Sequence, residues 1–137
     1  MVVLALLLAI TVLIVLWSVL QTIAAMVLVG MWPGGPDPLI AGILLAVLPP
    51  FLGGFLAMDA GSRVAGAERR RTLFWGLAAA TVAMGLSEAS EWLARPSVAD
   101  PARAVSALVE CVFAFAGLVL ARSRVAARGD DRAASRA

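Results

Sequence analysis

The stretch VVLALLLAITVLIVLWSVLQTIAAMVLVGM, residues 2–31, contains no Asp, Glu, Lys or Arg. A run of roughly 20 apolar residues is enough to cross the hydrocarbon core as a helix. This segment is long enough to cross with residues to spare, which implies tilt or an emergent end. It has no basic n-region and no small-residue cleavage site after a short apolar core, so it reads as a retained span and not as a removed signal peptide. The cluster WPGGPDP, residues 32–38, is dense in turn formers and closes the span.

Three more segments of spanning length follow, at about 38–58, 72–94 and 103–122. Composition agrees: of 137 residues 62% are hydrophobic and 15% charged, with mean hydropathy +0.97, well above the usage of soluble domains. The expected fold class is all-α, a polytopic four-transmembrane-helix bundle over residues 1–124. The tail, residues 125–137, is small, polar and arginine-rich, and reads as disordered. In the third connection Asp100 and Pro101 are placed to open the fourth helix as N-cap and first helical residue.

All eleven basic residues are arginines, and there is no His or Tyr. Histidine acid/base chemistry and lysine Schiff bases are therefore excluded. With four spans, Arg63, Arg69, Arg70, Arg71, Arg122, Arg124, Arg128, Arg132 and Arg136 fall on one side, and only Arg95 and Arg103 on the other. The positive-inside rule then puts both termini in the cytoplasm. Trp32 and Trp92 would mark the outer interface and Trp75 the inner one. Arginine-only basicity and Ala/Gly richness suggest a GC-rich genome, hence a bacterial inner membrane. The basic balance reads as topology, with the lipid bilayer as partner and no nucleic acid. A bundle this small implies a homo-oligomer or a larger membrane complex.

The chemistry concentrates in GLSEASEWLARP, residues 85–96, where Glu88 and Glu91 lie one helical turn apart. On a helix entering near residue 72, Glu88 lies roughly 24 Å along the axis at 1.5 Å per residue. Glu110 lies roughly 10 Å below the start of the descending fourth helix by the same rise. In an antiparallel hairpin of these two helices the carboxylates would share a depth. Positions 103, 107, 110, 114 and 117 share one face of the fourth helix, narrow enough for close approach to a neighbour. An ionised carboxylate near mid-bilayer costs about 2.5 to 3.5 kcal/mol even on insertion scales, so such groups face the bundle interior and have partners.

Three readings stand. Glu91 with Arg95, and Arg103 with Glu88 or Glu110, can form a structural clamp. Alternatively Glu88, Glu91 and Glu110 exchange a proton or bind a cation or cationic group. In the third, Arg95 and Arg103 hold a lipid phosphate while the acids hold its amine. Pro49 and Pro50, inside the second span, should kink it. Ser18, Gln21 and Thr22 form one modest polar patch on the first span, read as interhelical hydrogen bonding. Cys111, the single cysteine, reads as a small core residue. There is no zinc-ligand spacing, nucleotide loop or nucleophile elbow, and GGFLAMDAG ends a span instead of following a strand. The sequence thus supplies no catalytic constellation and implies no cofactor.

The segment SEASEWL, with Glu88, Glu91 and Trp92, resembles the "E, two residues, E/Q" motif near a span end in the VanZ-like group of small bacterial membrane proteins. The likeness extends to an acidic residue in a short outer loop, Asp100, and to Glu110 seven residues before Gly117. It covers residues 85–120. The chain departs from the group in having no Asp-Lys pair and no His in its earlier spans. The resemblance implies a cell-envelope or lipid-linked role and carries Glu88, Glu91, Asp100 and Glu110 as site positions.

Overall fold

The computed structural model describes residues 2–32, 34–35, 37–95 and 101–134; the side chains of Val2, Ala67, Glu88, Trp92, Val125 and residues 128–134 lie outside that description. Four helices carry the chain: α1 (Val2–Met31), α2 (Pro38–Ala65), α3 (Arg70–Ala94) and α4 (Pro101–Ala134). Each is long and apolar enough to cross a membrane. Large apolar side chains such as Leu4, Val29, Leu39, Leu93 and Val112 stand exposed around the bundle. In water that surface would aggregate; in a bilayer it is the lipid-facing surface. The protein is therefore a multi-pass membrane protein, and the expected four-helix all-α architecture is the one found.

Local chemistry sets the helix ends. The Asp37 carboxylate accepts a hydrogen bond from the Leu39 amide at 2.9 Å and caps α2, while Pro38 occupies its first turn, where a missing amide costs nothing. Gly66 ends α2 at φ +76°, a conformation that only glycine adopts without strain. One turn of 3-10 helix, Ala67–Arg69, leads into α3. α4 begins at Pro101, as expected for a proline in the first helical position; its expected cap, Asp100, lies outside the described residues.

Two elements run further than the span lengths require. α2 passes helically through Pro49 and Pro50, both fully buried, and continues beyond residue 58 to Ala65. Beyond residue 58 the turns carry the Asp59–Arg63 pair, 2.6 Å apart. α4 stays helical to Ala134, where the sequence reads as a disordered tail; the segment is rich in Ala and Arg, both good helix formers.

The packing order is α1, α2, α4, α3, with α1 and α3 meeting only sparingly. Between lipid-embedded helices the apolar drive is absent, so close backbone approach and dispersion hold the bundle. The tightest crossing is α2 on α4. A methyl group placed on Gly54 would collide with the Ala114 carbonyl, and one on Gly117 with the Phe51 carbonyl. α1 lies along α2, with the Trp17 backbone and Cβ against Gly53 and Ala9 against Gly61. Leu13, Met58, Leu73, Leu77 and Leu118 fill the interior.

The two ends of the bundle differ. At the end holding the α2–α3 connection, the Arg122 guanidinium sits 4.7 Å from the Phe74 ring centroid and Arg124 5.6 Å from that of Phe55. Trp75 is exposed near this end and Trp32 near the other.

Candidate functional site

Toward the end of the bundle that holds the α3–α4 connection, the helices part and leave a cavity of about 340 Å³. α1 contributes Ile14, Trp17, Ser18 and Gln21; α3 contributes Met84, Gly85 and Ser87; α4 contributes Ala107, Glu110 and Cys111. Gly85 and Cys111 mark where α3 and α4 close again. A methyl group at Gly85 would lie 2.6 Å from the Cys111 Sγ, so the missing side chain lets the two helices touch there. Cys111 also donates its thiol hydrogen to the Thr81 carbonyl at 3.3 Å. Thr81 is itself buried, and its hydroxyl donates to the Leu77 carbonyl at 2.9 Å.

The walls divide by polarity. Ile14, Trp17 and Met84 make an apolar side, while Ser18, Gln21, Ser87 and Glu110 bring polar groups. Glu110 is half-buried, and its Oε1 accepts a hydrogen bond from the Ser106 hydroxyl, one turn earlier on α4, at 3.0 Å. Ser18 and Ser87 are exposed, so the cavity communicates with the exterior. Glu110 is the one carboxylate among the described lining residues. Among the described residues no three His, Cys, Asp or Glu side chains group as a metal site.

The sequence-predicted residues scatter around this feature. Glu110 lies in it. Glu88 follows the lining residue Ser87 on α3, and its side chain lies outside the description, as does all of Asp100. Glu91 is exposed and does not line the cavity. Among the described residues no ion pair joins Glu91 to Arg95; their link is the backbone bond from the Arg95 amide to the Glu91 carbonyl at 3.1 Å. Arg103 is exposed on the first turn of α4.

The small-residue face of α4 is divided between neighbours. Ala114 and Gly117 pack on α2, whereas Ala107 and Glu110 face the cavity. α3 is met instead by Cys111, one position round the helix. Sequence reasoning also placed Gln21 and Ser18 in a hydrogen-bonding patch and not opposite Glu110. The available signal was Gln21 itself, the one amide side chain in an otherwise apolar span.

The class is thus defined: a small multi-pass membrane protein with a single-carboxylate, half-apolar cavity among its described residues. No family model, no curated protein and no solved structure matches the chain, so the chemistry rests on its own residues.

Proposed function

We propose that this protein handles a proton or a cation at Glu110, with Glu88 as the second exchanging carboxylate. The observation that supports this is a carboxylate facing an accessible cavity within apolar spans. A carboxylate is expensive at membrane depth, and both protonation and cation binding lower that cost. Ser106 donates its hydroxyl hydrogen to one oxygen of Glu110 and so orients the carboxylate. The arginine asymmetry supports an orientation with both termini in the cytoplasm, and we take the membrane to be a bacterial inner membrane. On that orientation the cavity opens in the outer half of the bilayer.

The test is cation- and proton-coupled flux in vesicles reconstituted with the full chain. Glu110→Gln keeps the acceptor for Ser106 and removes the charge. Flux above that of protein-free vesicles, lost in Glu110→Gln, is the expected result. Equal flux in the two proteins, with lower folded yield for Glu110→Gln, would instead identify the carboxylate as part of a structural subunit.

A further inference from the structure

We propose that the arginine-rich end of the bundle holds an anionic phospholipid in the groove between α3 and α4, with its phosphodiester on Arg71 and Arg122. The proposal uses no residue of the cavity. Depth comes first. The apolar span of α3 runs Arg70–Glu91 and that of α4 Pro101–Arg124, so Arg71 and Arg122 each lie within two residues of a span end. That is the level at which a bilayer presents its phosphates. Trp75, exposed one turn inward from Arg71, has the position of an interfacial tryptophan.

Charge comes next. Arg122 lies over the buried ring of Phe74 at 4.7 Å, and Arg71 precedes Phe74 by one turn of α3. Side chains at that spacing share a helix face, about 5 to 6 Å apart at Cβ, so α3 carries a second guanidinium on the face that Arg122 covers. Neither guanidinium forms a hydrogen bond or an ion pair with a described residue. The described acids of this end are Asp59, bound by Arg63, and Glu68, exposed on the 3-10 turn and in no described ion pair. The segment Glu68–Arg71 sets that one acid against three arginines. Two like charges beside one ring, with no described carboxylate bound to either, suit one phosphodiester anion. Arg124 offers the contrast: it lies over Phe55 on α2, and Asp59 follows Phe55 by one turn of the same helix.

The surroundings choose between a lipid and a soluble anion. A guanidinium that rests on a ring by its face keeps its N–H donors at the edge, where they match a phosphate in two parallel bonds. Inward from Arg122, Val119 and Phe115 follow on one face of α4, both exposed, with the Phe115 ring 5.9 Å from that of Phe74. An acyl chain along this strip is continuous with a phosphate at Arg122. A soluble phosphate uses the arginines alone; a phospholipid uses the arginines and the strip together.

The full chain, delipidated in detergent, is titrated with phosphatidylglycerol and separately with phosphatidylcholine of the same acyl chains, and bound lipid is counted by native mass spectrometry. One arginine at the membrane surface changes affinity for an anionic lipid by about 5-fold, so two should favour phosphatidylglycerol by about 25-fold. Arg71→Gln and Arg122→Gln should each weaken its retention by about 5-fold, and Arg124→Gln by less than about 2-fold. Arg71 is exposed, so its replacement leaves the packing alone and the loss is read from a folded protein. Equal retention of the two lipids, or equal losses in all three variants, overturns the site and leaves only diffuse surface charge. Displacement of phosphatidylglycerol by millimolar inorganic phosphate overturns the lipid in favour of a soluble anion. A dimer that Arg122→Gln dissociates, with no lipid bound, overturns it in favour of a second copy of the chain.

Discussion

Replacing Gly54 by alanine should open the α2–α4 crossing, and the size of the effect follows from the contact. The new Cβ would fall on the Ala114 carbonyl, a backbone group that cannot rotate aside. Restoring an ordinary carbon–oxygen contact of about 3.3 Å requires the two helices to separate. A radial gap of ~0.5 to 1 Å forfeits a quarter to a half of each dispersion contact across the crossing. Overpacking of this kind costs about 1 to 3 kcal/mol, and a rigid partner puts Gly54→Ala near the top of that range. Alanine's better helix propensity returns about 0.5 to 1 kcal/mol, leaving a net loss of about 2 kcal/mol.

Gly42, on the same helix, has no atom within 4 Å of an added methyl group. Gly42→Ala should therefore collect the propensity gain alone, about 0.5 to 1 kcal/mol. Thermal unfolding in detergent micelles, followed by tryptophan fluorescence, reads the difference. At about 4 °C per kcal/mol for a chain of this size, Gly54→Ala should melt about 8 °C below wild type and Gly42→Ala slightly above it. Equal shifts in the two variants would refute the close crossing.

Two further outcomes concern the arginine-rich end. The Arg122–Phe74 contact should show a coupling of about 0.5 to 1 kcal/mol in a double-mutant cycle of Arg122→Leu and Phe74→Leu, measured by the same melts; additive effects would mean that the guanidinium and ring do not interact. Asp59→Asn removes the partner of Arg63, whose side chain is 72% exposed, so the change should cost less than about 0.5 kcal/mol and shrink further in high salt.

The four spans were legible because length and apolarity alone report a membrane helix, and Pro38, Gly66 and Pro101 act locally on the backbone. Helix neighbours were not legible. A span that is apolar all round shows no stripe in its sequence to say which face meets protein and which meets lipid. Ala114 and Gly117 announced a close approach without naming the partner, and the partner proved to be α2. The cavity was half legible: Glu110 stood out by its charge, but its company with Trp17, Gln21 and Met84 depends on α1 lying across from α4. The expected link between Glu91 and Arg95 rested on spacing alone, and both side chains are exposed instead.

The order α1, α2, α4, α3 makes the molecule resemble a bound book. The spine is the glycine-locked crossing of α2 and α4, and α1 and α3 are covers, each resting mainly on its own half of the spine. The hollow with Glu110 lies where the cover α1 faces α3 and α4. The tightest crossing of the bundle and its hollow are therefore built by different sets of helices, and a change in the lining of the hollow on α1 or α3 leaves the spine's own contacts untouched.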